Sequence, residues 1–431
     1  MMDQPDIVII GGGPAGSTAA AFLAMKGRQV VLVEKEAHPR FHIGESLLPR
    51  NLDIFERLGV LEQVRGIGVH KPGAQFVSDR TGRSSAFPFA NALNRDRTHA
   101  WQVKRAEFDA LLFANAVKQG ATALEETRVT EVQLGKDGRR TIVKARTKDG
   151  GTVEWQPRYL LDASGRDTFM ASRMNVKDAN KYNNTAAMYA HFTGVARLEG
   201  DVPGYISIHL AEDGWFWLIP LQNEITSIGF VGDQSAWKGR SGTVQELFAS
   251  RIASSPSVAA RTAGATMVSD VFSTANYSYR ARQGNDDGFL MIGDAYGFVD
   301  PMFSTGVLMA MTAGELGAET ADAWLDNPAR GQKMADKTNR ELALAMDRIS
   351  WLIYRVNEPV MRTMFMSPSN RFYMRDGIIN MLAGNLRSNL RSVVPIVCFK
   401  FAYHFLTALH RCGLGGELPE KAPVAMPSPG E

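Results

Sequence analysis

Two short runs of consecutive apolar residues lie near the start of the chain, at 7–10 and 30–33. Unbroken runs of this kind, rich in valine and isoleucine, are typical of strands that are buried on both faces of a parallel sheet. A helix-favouring segment lies between them at 17–26, and Gly27 follows where a helix commonly ends. The pattern therefore predicts a strand–helix–strand unit at the N-terminus.

The next segments change from helical to alternating periodicity. Apolar positions within 106–118 recur at the spacing of one helix face. Two Asp-Gly pairs, at 137–138 and 149–150, then separate segments in which apolar and polar residues alternate, which is a strong short-range signal for hairpins. A buried strand that starts at Leu160 returns the chain to the first sheet. We therefore predict an inserted three-stranded meander at 130–134, 141–146 and 152–156.

The second half of the chain divides into a β-rich part and a helical part. An apolar strand at 289–294 leads into a long helix, for which Ser304 or Thr305 is a natural N-cap. From about residue 332 onward the pattern is helical. A second sheet, separate from the first, is predicted from candidate strands at 205–210, 215–220 and 225–231.

Near the C-terminus, one polar stripe interrupts an otherwise apolar helix, at Lys400, His404, Thr407 and Arg411. Such a helix could cap a substrate cavity, pack on the body of the protein or touch a membrane surface, and packing is the commonest of these roles. The residues beyond it include four prolines, which favours a disordered tail.

Together these elements predict an α/β fold. A Rossmann-like three-layer domain that binds a dinucleotide carries the inserted β-meander, and a β-sheet substrate domain and C-terminal helices complete the chain. The expected parts are the dinucleotide domain (1–70 with 104–180 and 286–330), the β-rich substrate domain (71–103 with 181–285), the C-terminal helical region (331–416) and the disordered tail (417–431).

Composition narrows the class of protein. At 431 residues with 45% hydrophobic content, the chain is long enough for two or three cores. The net charge of +3 implies no polyanionic partner such as nucleic acid. Cys398 and Cys412 have neither a partnered spacing nor a metal-binding pattern, which predicts a reducing compartment and no metal site. We find no signal peptide and no uninterrupted apolar run of about 18 residues, so we expect a cytoplasmic protein without a transmembrane segment.

The candidate chemistry begins where the first strand ends, in the turn Gly11-x-Gly13-x-x-Gly16. In such a turn the first glycine allows a tight bend, the second lets the backbone approach a pyrophosphate, and the third lets helix and strand pack closely. The following helix offers free amides and a positive dipole end to the phosphates. Glu34 ends the second strand, where an acid can accept a hydrogen bond from a ribose hydroxyl. The site suits FAD or NAD and disfavours a 2′-phosphate.

Two further stretches carry candidate chemistry of lower specificity. The loop at 38–49 contains two histidines, an arginine and a glutamate and ends at a proline, and it could lie across a cofactor. On spacing alone, an ordinary surface loop is equally compatible with it. Lys71 lies beside a Pro-Gly turn, and by itself it is typical of a solvated surface lysine.

The motifs taken together resemble a known group of enzymes. The glycine turn, the Asp-Ala-Ser-Gly segment at 162–165 and the Gly-Asp pair at 293–294 resemble FAD monooxygenases of the p-hydroxybenzoate hydroxylase fold. In that group the Gly-Asp pair contacts the ribityl or pyrophosphate part of FAD. The resemblance therefore selects FAD as the cofactor.

Four further features resemble flavin-dependent halogenases within that group. The segment 44–49 is similar to the loop that these enzymes carry over the isoalloxazine ring. The segments 215–220 and 298–306 match their W-x-W-x-I-P and F-x-x-P-x-x-S-x-G motifs. Lys71 lies where the family has its essential lysine. The resemblance covers about the first three-quarters of the chain and leaves the C-terminal helices without a transferable motif.

The resemblance implies a set of site residues. Trp215 and Trp217 are expected to separate the flavin from the substrate, with Phe298 also on the substrate side. Chloride or bromide is expected at Ser304, Thr305 and Gly306, because a helix N-terminus offers amides and positive potential to an anion. The residues expected to contact FAD are Gly11, Gly13, Pro14, Ala15, Gly16, Glu34, Arg40, Ile43, Gly44, Glu45, Ser46, Arg105, Val129, Asp162, Gly293, Asp294, Pro301, Gly306 and Val307.

The reaction implied is FADH2-dependent halogenation of an aromatic ring. In the family, a flavin C4a-hydroperoxide oxidises the halide to hypohalous acid, and Lys71 would present that oxidant to the substrate. A chloramine requires a neutral amine, so burial would have to lower the pKa of Lys71. The length resembles the shorter group that acts on phenols, pyrroles or aromatics held on an acyl or peptidyl carrier protein. A separate flavin reductase is expected to supply the reduced FAD.

Three alternatives remain on sequence grounds. The first is an FAD monooxygenase or hydroxylase without halide chemistry, and the second is a flavoprotein similar to geranylgeranyl reductases. The third is a non-catalytic flavoprotein that binds FAD and a carrier protein. The glutamate that tryptophan halogenases pair with their lysine has no assignable position here, which leaves the base for rearomatisation unassigned.

Overall fold

The computed structural model describes residues 4–135, 139–180, 185–197, 202–233, 242–275, 278–356, 358–385 and 390–412. The predicted turn at 137–138 and the predicted tail at 417–431 lie outside this part of the chain.

The helices follow the predicted positions closely. The first begins at Pro14 rather than at residue 17, because a proline fits the first turn of a helix, where its missing N–H costs nothing. In chain order the described α-helices are α1 (Pro14–Met25), α2 (Asn51–Leu58), α3 (Leu61–Ile67), α4 (Arg105–Lys118), α5 (Phe169–Arg173), α6 (Val244–Ser254), α7 (Pro256–Thr262), α8 (Gly306–Asp326), α9 (Pro328–Ile353), α10 (Pro359–Met366), α11 (Met374–Leu382) and α12 (Leu390–Arg411).

The strands are mostly short. In chain order the described strands are β1 (Ile7–Ile10), β2 (Val30–Val33), β3 (Gly68–Lys71), β4 (Gly73–Ser78), β5 (Ser84–Pro88), β6 (Ala100–Val103), β7 (Thr122–Leu124), β8 (Arg128–Gln133), β9 (Ile142–Arg146), β10 (Thr152–Trp155), β11 (Tyr159–Asp162), β12 (Lys177–Ala179), β13 (Thr185–Thr193), β14 (Ile206–Leu210), β15 (Gly214–Pro220), β16 (Ile225–Asp233), β17 (Thr266–Met267), β18 (Phe272–Ala275), β19 (Tyr279–Ala281), β20 (Asn285–Asp286), β21 (Phe289–Met291) and β22 (Gly297–Phe298).

A six-stranded sheet forms the first layer, in the order β20-β21-β11-β1-β2-β7. Strand β1 is central and parallel to both neighbours, with Ile7 opposite Tyr159 on one side and Val30 on the other. Every residue of β1, β2 and β11 is buried. The unbroken apolar runs are therefore explained by cover on both faces, and the predicted α/β fold is confirmed.

The predicted meander is also present. Strands β8, β9 and β10 form an antiparallel sheet of their own, in the order β10-β9-β8. At the turn between β9 and β10, Gly150 has a φ of +86°, which a glycine adopts without strain. The chain then enters β11 and returns to the six-stranded sheet.

An eight-stranded mixed sheet forms the second large layer, with β17-β13-β16-β15-β14-β4-β5 in order and β18 paired to β13. Its strands come from 73–88 and from 185–275, within the two segments expected for a substrate domain. The sheet has a core on each face: Trp215 and Trp217 belong to the main core, whereas Phe216 belongs to a second core that includes Phe248 of α6. The domain boundaries themselves stay a prediction.

Helix α8 connects the sheets to the C-terminal helices, and it packs along α1 and α9. Thr305 is its N-cap residue, but no side chain makes a capping hydrogen bond there. The prediction of a hydroxyl cap is therefore wrong. Ser304 instead adopts a left-handed conformation, with a φ of +57°, which turns the chain sharply before the helix.

One helix bears on the prediction that the chain has no transmembrane segment. Within α12, the segment Ser392–Arg411 has a mean hydropathy of 1.5, and only 17% of its most apolar window is buried. The sequence prediction required an unbroken apolar run, and Lys400 and His404 interrupt such a run. The mean hydropathy of the segment stays high in spite of these two residues. Length and composition alone do not separate such a segment from the core helix of a soluble protein.

Candidate FAD and substrate site

The glycine turn between β1 and α1 has the geometry that a pyrophosphate needs. Gly11 has a φ of +100°, and a Cβ at Gly16 would lie 1.9 Å from the Gly11 carbonyl oxygen. A Cβ at Gly13 would instead meet only the Arg40 guanidinium, at 3.7 Å. Gly11 and Gly16 are thus required by the fold, whereas Gly13 leaves backbone open to a ligand.

Glu34 has a role that its spacing did not predict. One carboxylate oxygen accepts a hydrogen bond from the Gly12 amide at 2.7 Å, and the other accepts one from the Glu36 amide at 3.0 Å. The side chain is only 3% exposed. Glu34 therefore holds the glycine turn in place, and only its remaining lone pairs are available to a ribose.

A cavity of about 410 Å³ extends from this turn to the tryptophans of β15 and to the start of α8. Most of the predicted site residues line this cavity. Residues that are far apart in the sequence therefore lie around the same cavity. Those that do are Gly11, Gly13, Pro14, Ala15, Glu34, Arg40, Ile43, Gly44, Glu45, Ser46, Arg105, Val129, Trp215, Trp217, Asp294, Phe298, Pro301, Ser304, Gly306 and Val307.

Five predicted site residues do not line the cavity: Gly16, Lys71, Asp162, Gly293 and Thr305. Asp162 is fully buried, and its carboxylate accepts hydrogen bonds from the Ser164 amide at 2.9 Å and the Met170 amide at 2.8 Å. Asp162 therefore fixes the turn after β11, and its contact with a cofactor stays a prediction.

Gly293 is required for packing, and its contact with a cofactor likewise stays a prediction. Its φ is +61°, and a Cβ there would lie 2.9 Å from the Ala15 side chain at the start of α1. This close approach brings the end of β21 against the dinucleotide turn. The neighbouring Asp294 lines the cavity and is fully buried, and burial raises its pKa to about 6 even though Arg105 and Arg166 act in the opposite direction.

Arg105 ties the loop at 41–49 to α4. Its guanidinium donates two hydrogen bonds to the Asp109 carboxylate, at 2.8 and 2.9 Å, and a third to the Ile43 carbonyl at 2.7 Å. Both partners of the ion pair are buried, with Arg105 6% and Asp109 0% exposed. The bidentate pair with Asp109 therefore fixes the orientation of Arg105, which also lines the cavity. The hydrogen bond to the Ile43 carbonyl positions the loop at 41–49.

The same loop is held from the opposite side by a residue that sequence reasoning missed. One carboxylate oxygen of Glu45 lies 2.8 Å from the Nε2 atom of His191 on β13. Phe41 stacks on Phe272, with ring centroids 4.2 Å apart, and meets His191 edge-on at 5.6 Å. His191 has no local motif around it, and only the pairing of β13 with β16 and β18 places it here.

Lys71, on the edge of the small β3–β6 sheet, is almost completely buried, with 1% exposure. Its ammonium nitrogen donates a hydrogen bond to the Leu47 carbonyl at 2.8 Å and lies 5.3 Å from the centre of the Phe89 ring. Burial alone lowers the pKa of Lys71 to about 7. The lysine is thus not the solvated surface residue that its local sequence suggests, and it contacts the loop at 44–49 directly.

The start of α8 closes the other side of the cavity. Ser304 and Gly306 line it, while the hydroxyl of Thr305 is buried and has no hydrogen-bond partner among the described residues. The first amides of a helix have no partner within the helix, and the helix dipole is positive at this end. A small anion would therefore find hydrogen-bond donors at the start of α8.

Among the described residues, no group of three side chains is placed to bind a metal ion.

These residues fit FAD. The open backbone at Gly13 admits a pyrophosphate, and the same cavity is lined by the Arg105 side chain and by the indoles of Trp215 and Trp217. Trp215 and Trp217 lie side by side on β15, with ring centroids 5.9 Å apart, and the Trp217 indole donates to the Ser227 hydroxyl at 3.2 Å. The fold and the site together define a flavoprotein.

Comparison with known proteins gives the family. The profile of the FAD binding domain family matches residues 4–314. A tryptophan 2-halogenase from Chondromyces crocatus is 35% identical over 322 residues, which is 72% of this chain and 60% of that protein. A 1H-pyrrole-2-carbonyl-[peptidyl-carrier protein] chlorinase from Pseudomonas fluorescens is 30% identical over 334 residues, which is 72% of this chain and 74% of that protein.

Solved structures agree with these relatives. The flavin-dependent brominase Bmp2 superimposes with a TM-score of 0.82 at 27% identity, covering 93% of this chain and 99% of that chain. The protein therefore belongs to the flavin-dependent halogenases, as its motifs predicted. It spans less than two-thirds of the tryptophan halogenase that it matches.

Proposed function

We propose that this protein is an FADH2-dependent halogenase of a phenolic or pyrrolic substrate, with Lys71 as its catalytic residue. The observation that carries the proposal is the burial of Lys71 against the loop at 44–49, where its amine donates a 2.8 Å hydrogen bond to the Leu47 carbonyl. When bound, reduced FAD would supply the electrons with which O2 is activated to oxidise chloride or bromide.

The lowered pKa of Lys71 supports this role. At pH 7 a lysine of pKa about 7 is half neutral, whereas one of pKa 10.5 is neutral in only ~1 of 3,000 molecules. A neutral amine can attack the halogen of hypohalous acid, which breaks the O–X bond, and the hydroxide that leaves takes up the amine proton to give a haloamine and water.

The two tryptophans separate two regions in this proposal. Trp215 and Trp217 line the cavity that we assign to FAD, whereas Lys71 lies outside it. Substrate beside Lys71 would then be out of reach of an oxygen atom on the flavin, and only a small, diffusible oxidant would connect the two. This arrangement favours halogenation over direct hydroxylation.

We place the halide at the start of α8. Ser304, Thr305 and Gly306 combine backbone amides, the positive helix end and the buried Thr305 hydroxyl. The backbone amides and the Thr305 hydroxyl of this turn can donate hydrogen bonds to a halide ion, which is spherical and needs no particular shape of site.

The partners follow from the same proposal. An aromatic substrate is expected, free or on a carrier protein, since one relative acts on a pyrrole group of a peptidyl-carrier protein. A separate flavin reductase would supply reduced FAD. Cys398 and Cys412 are both free, which agrees with the predicted cytoplasmic location without testing it.

A product screen tests this function. The purified protein, a flavin reductase, NADH, FAD and O2 are incubated with phenols and pyrroles, free and carrier-bound, with bromide, with chloride and without halide. We expect a halide-dependent product whose mass and isotope pattern show one added halogen. A hydroxylated product that forms equally without halide would instead identify a monooxygenase.

A further inference from the structure

One face of α12 is apolar and uncovered. Val394, Val397, Phe401 and Phe405 recur at helical spacing and are 55%, 57%, 73% and 55% exposed. We call these four residues the apolar stripe. Side chains of this size are normally buried, so four of them on one exposed helix face require a partner.

The opposite face of α12 is firmly packed, which sets the orientation of the helix. Phe399 and Tyr403 are buried, and the Tyr403 hydroxyl donates to the Glu358 carboxylate. At Gly377 of α11, a Cβ would lie 2.6 Å from Pro395. The helix therefore lies along the body of the protein and presents the apolar stripe outward, rather than standing free to cross a bilayer.

Within the segment that contains α12, the charged residues are all basic, and the carboxylate that contacts the helix, Glu358, accepts its hydrogen bond from Tyr403 on the packed face. From residue 377 to residue 416 the sequence contains no aspartate or glutamate, and its charged residues are Arg387, Arg391, Lys400 and Arg411. Lys400 and Arg411 fall on the same border of the apolar stripe, together with His404, since they are spaced by i, i+4 and i+11. Long basic side chains at the edge of an apolar face can reach sideways to anionic groups.

A second exposed aromatic pair extends this surface. Phe372 and Tyr373, in the turn that packs against α12, are 73% and 64% exposed. Both adopt left-handed backbone conformations, with φ of +54° and +57°, which are uncommon for aromatic residues. The turn thus displays two more rings beside the helix that carries the apolar stripe.

We propose that α12 is an interfacial helix that docks this protein on an anionic lipid surface. The apolar stripe with Phe372 and Tyr373 would enter the level of the headgroups, and His404 and Arg411 would contact lipid phosphates. The Lys400 ammonium lies 4.6 Å from the centre of the Trp351 ring and adds positive charge at the same border. A second copy of the chain would place equal positive charges against each other, so it is the weaker fit. Phenylalanines in the apolar face and cations at its edge are the pattern of helices that lie in the membrane plane.

Vesicle flotation tests the proposal with the full-length, FAD-loaded protein. Vesicles of phosphatidylcholine alone and of phosphatidylcholine with phosphatidylglycerol at a ratio of about 7:3 are compared at low and high salt, because anionic lipid supplies the electrostatic part of binding. We expect flotation with the anionic vesicles, weakened by salt. Replacing Phe401 and Phe405 by serine should reduce the partition coefficient by at least roughly tenfold, since two buried aromatic side chains are lost.

Matched variants control for nonspecific effects. The control is the double variant Leu344→Ser/Val117→Ser, which changes two apolar residues elsewhere on the surface that are 54% and 49% exposed. This variant should float with the vesicles as the wild type does. Equal flotation of the Phe401→Ser/Phe405→Ser protein, or no flotation of the wild type, overturns the proposal. Two other results would also overturn it, because each would identify a protein partner. One is a wild-type dimer in sedimentation velocity that becomes monomeric in the Phe401→Ser/Phe405→Ser variant. The other is a carrier protein that binds the wild type but not this variant.

Discussion

The buried amine of Lys71 makes the stability of the protein depend on pH in a defined direction. In the folded chain its pKa is about 7, against 10.5 for an ordinary lysine, and burial is the cause. Between these values the unfolded chain binds a proton that the folded chain has lost. Folding therefore releases a proton in this window, and the stability contributed by this group rises as the pH rises through it.

The size of the effect follows from the two pKa values. Linkage gives a slope that approaches ~1.4 kcal/mol per pH unit above the folded pKa, and half of that at the folded pKa itself. Between pH 7 and pH 9 the free energy of unfolding should rise by about 2 kcal/mol more in the wild type than in Lys71→Met, which cannot titrate.

Chemical denaturation measures this difference. Wild type, Lys71→Met and Lys148→Met are unfolded with urea at pH 7, 8 and 9, and the last variant removes a lysine that is 74% exposed. Lys148→Met should track the wild type at every pH. A difference between wild type and Lys71→Met that does not change with pH would refute the argument, because it would show that the Lys71 amine is solvated and charged.

Three further substitutions test the cofactor site. Gly16→Ala should abolish FAD retention, measured as flavin absorbance per polypeptide, because its Cβ would lie 1.9 Å from the Gly11 carbonyl oxygen; retained flavin would contradict the turn geometry. Glu34→Gln should weaken FAD binding roughly tenfold or more by calorimetric titration, since a charge-assisted bond to the turn is lost, and unchanged affinity would contradict its role. Arg105→Met should destabilise the protein by about 3–5 kcal/mol in urea, because the buried Asp109 would keep only its 3.4 Å contact with Arg40; Arg105→Met with Asp109→Leu should recover most of that loss, and no recovery would contradict it.

The dinucleotide half of the fold could be predicted from local sequence. The apolar runs of β1 and β2, the glycine turn and the Asp-Gly pair at 149–150 each specify their structure through neighbouring residues. Backbone sterics and burial on both faces act over a few positions, so a single sequence contains the necessary information.

The details of the site depend on contacts between distant segments. Glu34 and Asp162 were both predicted to contact FAD, yet each carboxylate accepts hydrogen bonds from nearby backbone amides. An acid at a strand end can serve a ligand or its own turn, and the sequence is the same in both cases. Only the positions of the neighbouring amides distinguish the two.

Tertiary contacts also decide how Lys71 and His191 behave. Lys71 has a Pro-Gly turn beside it, which is typical of a surface, but the pairing of β3 with β6 and the loop at 44–49 bury it. His191 meets Glu45 across 146 residues of sequence. The resemblance to halogenases implied that Lys71 is buried, which the local sequence pattern could not show. No motif pointed to His191.

The central claim is that Lys71 transfers the halogen to the substrate, and one measurement tests it directly. The amount of halogenated aromatic product per reduced FAD consumed is determined for wild type and for Lys71→Met, with free hypohalous acid trapped and quantified in the same reaction. We predict that Lys71→Met consumes reduced FAD at the normal rate and releases trappable hypohalous acid, but forms no halogenated product. Halogenation by Lys71→Met at the wild-type yield would contradict the account.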